Sequence, residues 1–147
     1  MSFSISDSDI DRTALRKHLL NRSCGAFVSF EGWIRDHNDG REVLRLEYEV
    51  YRPLAVSEGE RILAEALQRF EIADAACIHR EGLLELGDTA VIAAAVAAHR
   101  DEAFKACRYI IDEVKHRLPI WKREHYGNGE AHWVNCQKTV EDAKAQS

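Results

Sequence analysis

Three short segments of this chain gather the residue types that handle anions. The first is KHRLPIWKREHY, residues 115–126, which sets Lys115, Arg117, Lys122 and Arg123 within nine positions, with no acidic residue among them. The chain as a whole carries a formal net charge of −5, so this cluster is a local departure. A lysine partly withdrawn from water beside other cations has a lowered pKa and can serve as base or nucleophile. The plain alternative is a helix C-terminus whose cations complement the helix dipole. That alternative suffices for His116 and Arg117. It explains Lys122 less well, because that residue lies beyond Pro119, next to Trp121.

The second segment is AHRDEAF, residues 98–104, where an apolar stretch gives way to a strongly helical one. The first amides of a helix have no internal partner, so His99 and Arg100 beside them would suit a phosphate or carboxylate. The competing view pairs Arg100 with Asp101 or Glu102 on the surface. The third segment is FEGWIRDHNDG, residues 30–40, in which Arg35 ends a strand and His37 enters a loop, a usual place for a binding residue, although a solvated loop face accounts for it more simply when it is taken alone. Other chemistries find little support. There is no GxSxG, P-loop, GxGxxG or HExxH, and the seven histidines lack metal-ligand spacing.

These side chains need a frame. SDSDIDRTALRKHLL opens on capping residues and spaces Ile10, Ala14, Leu15 and Leu19 as a short helix. CGAFVSFEGWIR and VLRLEYEVY both alternate, and DHNDGRE between them has turn composition, so residues 26–51 read as a β-hairpin. Pro53 starts a second helix, with Ile62, Leu63, Ala66, Leu67 and Phe70 on one stripe and Gly59 as an awkward interior residue. Gly82 and Gly87-Asp88 divide residues 75–99 into two or three strands, the last apolar on both faces and so central. RDEAFKACRYIIDEVKHRL is the clearest helix, stopped by Pro119. IWKREHY, the Gly127-Asn128-Gly129 turn and AHWVNC close the domain as a hairpin. Hairpins and helices without regular βαβ alternation predict one α+β domain on antiparallel sheet, residues 1–147, with a polar tail from about residue 138.

Composition bounds the rest. A chain of 147 residues, 46% hydrophobic and 31% charged, buries a core of its own. Its longest apolar run, AVIAAAVAA, is far short of the roughly 20 residues of a membrane span. Four scattered cysteines and no visible signal peptide point to free thiols in the cytoplasm. The acidic balance argues against nucleic acid as a partner.

Taken in order, GAFVSFEGWIRDHNDG, IHREGLLELGD, VAAHRDEAFKACRYIIDEVKHRLPIWKRE and HWV resemble the MoaE family, the large subunits of molybdopterin synthase, over about residues 25–134. The resemblance implies a fold of the α/β-hammerhead type, a homodimer, and a heterotetramer with two small ubiquitin-like sulfur carriers. Each carrier ends in a Gly-Gly thiocarboxylate. It further implies transfer of two sulfurs to cyclic pyranopterin monophosphate, forming the dithiolene of molybdopterin, with no metal or organic cofactor. The family's pocket residues fall on Arg35, His99 and Arg100 as substrate-binding groups and on Lys115 and Lys122 as catalytic ones, with Phe30 and Trp121 as apolar wall. Some members have a basic residue just after the WV pair; here Asn135, Cys136 and Gln137 precede Lys138. The alternative from another class is a domain of this family that docks a ubiquitin-like tail or an anionic ligand without chemistry. Lys115 and Lys122 beside an intact AHR favour the enzyme.

Overall fold

The computed structural model describes residues 1–136. The fold is built from two sheets and three helices. The first sheet holds β1 (Ser2–Ser6), β2 (Ala26–Trp33), β5 (Asp74–Arg80) and β7 (Thr89–Ala97) in the order β1-β5-β7-β2. The second holds β3 (His37–Asn38), β4 (Arg41–Val50), β6 (Gly82–Glu85), β8 (Ile120–Tyr126) and β9 (Ala131–Asn135), with β4 between β8 on one side and β3 and β6 on the other. The helices are α1 (Arg12–Leu19), α2 (Arg52–Arg69) and α3 (Arg100–Arg117). The architecture is the expected α+β, antiparallel except for β1, which runs parallel to β5. The strand β1 was not anticipated, because SFSIS offers only Phe3 and Ile5 as an alternating pair. The tail from residue 138, with Lys138, lies outside the described residues.

The hairpin expected over residues 26–51 does not form. Instead β2 pairs with β7 along its length, from Ala26↔Ala97 to Trp33↔Thr89, whereas β4 pairs with β8 and β6. Every residue of β7 is buried, so it requires a strand on each side and a helix layer on each face. Alternation shows that a strand exists and which face is apolar, but not which strand lies beside it. The pairing slips after Gly32, and from there the chain crosses to the second sheet.

Helices α2 and α3 cover one face of the first sheet, where Ala75, Cys77, Val91, Ala93 and Ala95 meet Ile62, Leu63, Ile110 and Val114. Helix α1, whose N-cap Asp11 accepts from the Ala14 amide, covers the other face through Leu15 and Leu19. Gly59 is awkward by propensity but necessary by packing: a Cβ there would lie 2.3 Å from the Phe3 ring. The glycine lets β1 lie against α2. Tyr48, half-buried, packs against the main core and against the small cluster of Ile34, Leu46, Leu84 and Ala90, which draws on both sheets, so it joins the two halves. No helix among the described residues is long and apolar enough to cross a membrane.

Arg117 does more than complement a helix dipole. Its Nε donates to Glu58 Oε1 at 2.7 Å, and its two terminal nitrogens donate to the two Glu65 oxygens at 2.7 and 2.9 Å. Tyr109 also donates to Glu65, at 2.6 Å. Arg117 chiefly, and Tyr109 next, hold the Glu65 carboxyl down at about 2. The folded value is depressed, so its contribution is full above the unfolded pKa of about 4.3 and is lost as pH falls through the folded one. Glu65→Gln should therefore cost about 1–2 kcal/mol of urea-measured stability at pH 7. The gap to the wild type should largely close by about pH 2. A gap constant over that range would show that the ionised carboxylate is not its source.

Candidate functional site

Lys115 sits on the exposed side of the last turns of α3, and its ammonium lies 6.0 Å from the centroid of the Phe30 ring. Phe30 pairs with Ala93, so its ring stands on the α3 face of the first sheet. In the neighbouring row Gly32 pairs with Val91, and Val91 pairs with His79 on its other side. Gly32 keeps that row low: a Cβ would come 2.9 Å from Val91 Cγ1. His79 is buried, and its Nδ1 donates to the Arg80 carbonyl at 2.7 Å. Burial first, with the Lys115 ammonium adding to it, pushes its pKa down to about 4, so the imidazole is uncharged. It meets the Tyr48 ring edge-on, with centroids 5.0 Å apart. The Tyr48 phenol is held well above its ordinary range, mainly by burial.

Lys122 stands beside Tyr48 in the second sheet. It is the cross-strand partner of Tyr48 and so shares its face. Its Nζ lies 3.3 Å from Glu124 Oε1, two residues along the same face. Glu124 is only 6% exposed, and a carboxylate that dry needs partners. Asn38 supplies one, donating to Oε1 at 2.9 Å, while Arg35 donates to Asn38 Oδ1 at 3.2 Å. Arg35 and Lys122 are thereby tied together through two residues that the sequence reading left out. Glu124 Oε2 is buried and has no donor among the described residues.

The other candidates lie elsewhere. His99 is the N-cap residue of α3 and Arg100 its first residue, both exposed. Among the described residues no ion pair joins Arg100 to Asp101 or Glu102; those carboxylates go to Lys105, at 2.9 and 3.6 Å. Helix α3 separates them from Lys115: at about 1.5 Å rise per residue, His99 and Lys115 stand about 24 Å apart. One small ligand cannot touch both on one chain. Trp121 is exposed and adjacent to Lys122 in β8, so it faces the opposite side of the sheet. His79 and Glu124 were legible in part. His79 lies inside the quoted IHREGLLELGD, and the alternation of WKREH puts Glu124 on the Lys122 face.

Fold and site together define an α+β domain in which two lysines from different elements flank the buried His79 and the half-buried Tyr48, with an arginine-bearing loop alongside. Residues 5–117 match the family model described as MoaE protein, which takes in Arg35, His99, Arg100 and Lys115. The chain belongs to the MoaE family. It is 48% identical to the molybdopterin synthase catalytic subunit of Pyrococcus abyssi over 118 residues, which is 80% of this chain and 79% of that protein. The X-ray structure of molybdopterin synthase from Staphylococcus aureus superposes with a TM-score of 0.84 at 31% identity, covering 89% of this chain and 95% of that one. The fold also matches a chain in the complex of subunits 1 and 2 of molybdopterin-converting factor from Helicobacter pylori. That match has a TM-score of 0.74 at 18% identity and covers 99% of each chain.

Proposed function

We propose that this chain is the large, catalytic subunit of a cytoplasmic molybdopterin synthase. It moves two sulfurs from C-terminal thiocarboxylates of a small ubiquitin-like carrier to cyclic pyranopterin monophosphate. The observation that carries the reading is the placement of Lys115 and Lys122 around His79 and Tyr48 in a chain of the MoaE family. Carrier tail and pterin phosphate are both anionic. Two unit charges about 4 Å apart repel by about 1 kcal/mol in water and about 4 kcal/mol at an effective dielectric of 20. Fixed cations remove that barrier and stabilise charge developing on sulfur. Lys115, over Phe30, takes the sulfur-transfer centre, where it polarises or deprotonates an intermediate. Lys122, held by Glu124, neutralises charge at the carrier tail, and Arg35 holds the pterin.

His99 and Arg100 then belong to the phosphate end of a site on a second copy. A two-fold dimer that sets the N-terminus of one α3 beside the Lys115 end of the other completes two equivalent pockets. With one carrier per pocket the assembly is a heterotetramer. The test is to supply thiocarboxylated carrier and cyclic pyranopterin monophosphate and assay dithiolene product. No product under conditions that support a known synthase would overturn the reading.

A further inference from the structure

A second acid-free stretch carries cations that the site described above does not use. Residues 12–30 hold Arg12, Arg16, Lys17 and Arg22 and no aspartate or glutamate, in a chain whose acidic residues outnumber its lysines and arginines 25 to 20. Arg12 is engaged locally: its Nε donates to both Glu31 oxygens at 3.0 Å, and a terminal nitrogen donates to the Thr89 hydroxyl at 2.6 Å. Arg16, Lys17 and Arg22 are exposed, and none of them joins an ion pair among the described residues. Complementing the helix dipole accounts for Arg16 and Lys17, in the last turn of α1, but not for Arg22, which lies beyond its end.

The direction of α1 places them. Its first residue, Arg12, is tied to Glu31 and Thr89, at one end of the β2–β7 pair. The segment after the helix reaches the other end, where Ala26 pairs with Ala97 and the Gly25 amide donates to the Ala98 carbonyl at 3.2 Å. A shallow groove of about 150 Å³ runs there, lined by Arg16, Leu20, Gly25, Phe27 and Val96 among others. His99 and Arg100 follow Ala98 directly and open α3. At no more than about 3.6 Å per residue, the Cα of Arg22 lies within about 11 Å of Gly25, and that of Arg100 within about 7 Å of Ala98. The unpaired cations and the N-terminus of α3 therefore share one end of the first sheet.

We infer that Arg16, Lys17 and Arg22 form an outer cationic rim to the phosphate end of the site, which strengthens binding of cyclic pyranopterin monophosphate at His99 and Arg100. This rests on the reading of His99 and Arg100 as the phosphate end. The rim acts through its field and touches no reacting atom, so it raises affinity and leaves the chemical step alone. A cation about 10 Å from a single negative charge in water favours binding about twofold. Three of them give about 3- to 8-fold at about 10 mM salt, where the Debye length is about 30 Å, and less than about twofold at about 0.5 M. The pterin is the anion served, because the rim adjoins His99 and Arg100, whereas the carrier tail is assigned to Lys122 on the second sheet.

The test combines Arg16→Gln, Lys17→Gln and Arg22→Gln in one full-length variant and, in a second, places glutamate at the same three positions. Equilibrium dialysis with cyclic pyranopterin monophosphate, without carrier, gives Kd; the dithiolene assay gives kcat and both KM values. In the glutamine variant Kd and KM for the pterin should rise about 3- to 8-fold at about 10 mM salt, and the gap should fall below about twofold at about 0.5 M. Glutamate doubles the change in charge and should roughly square the factor. Turnover and KM for the carrier should not move. An unchanged Kd at low salt would overturn the inference, and so would a rise that high salt leaves intact. An equal rise in KM for the carrier would assign the effect to the carrier or to overall charge and overturn it as well. A wild type that binds the pterin through this rim but makes no product would sink the sulfur-transfer reading and leave the rim standing. An active wild type with variants of unaltered Kd removes the rim alone.

Discussion

Lys115→Ala should lower kcat for dithiolene formation by about 10²–10⁴-fold while the chain still folds, dimerises and binds the carrier. The side chain is exposed, so its loss opens no cavity, and stability should change by about 0.5 kcal/mol or less. The Phe30 contact, at 6.0 Å, is at the long limit for a cation over a ring and contributes orientation more than energy. On the proposed function, what disappears is the positive charge where two anions meet, an interaction that strengthens as charge develops on sulfur. Equal falls in kcat and kcat/KM would mark an interaction made in the transition state. Near-normal turnover would remove Lys115 from the mechanism.

Complementation between two dead variants tests the shared site. Lys115→Ala and Arg100→Ala homodimers should each be nearly inactive, because each pocket lacks one required cation. Co-refolded in equal amounts, half of the dimers are mixed, and each mixed dimer holds one pocket with both mutations and one with neither. Activity should then return to about a quarter of the wild-type value. The geometry behind this is the length of α3, which puts His99 about 24 Å from Lys115 on one chain. Recovery no greater than the sum of the parents would show that a pocket does not draw on both copies. A monomer by light scattering would remove the dimer altogether.

Much of the fold was open to local reading because helices and strands announce themselves by period. Helix α3, with apolar residues at three- and four-residue steps and Pro119 just beyond, was legible to within a residue. The Gly127-Asn128-Gly129 turn marked the β8–β9 hairpin as plainly. The hairpin over residues 26–51 failed because alternation is blind to partners. A fully buried β7 needed a second neighbour, and β2 supplied it. Gly59 was a local liability whose reason, the Phe3 ring, lies 56 positions away in the chain. Glu124 carries no local sign of burial; β4 and β9 flank its strand and Asn38 of β3 caps its carboxylate.

The order of residues alone settled which side chains carry charge, where helices begin and stop, and which segments match the MoaE pattern. These properties live within a few positions of one another, where propensity, capping and period act. The arrangement in space settled which cations meet: Lys115 and Lys122 around His79 and Tyr48, Arg35 tied to Lys122, and His99 and Arg100 a helix length away. Such juxtapositions depend on which strands pair and which faces are buried, and those choices minimise the exposed apolar surface of the whole chain. No window of sequence contains that quantity.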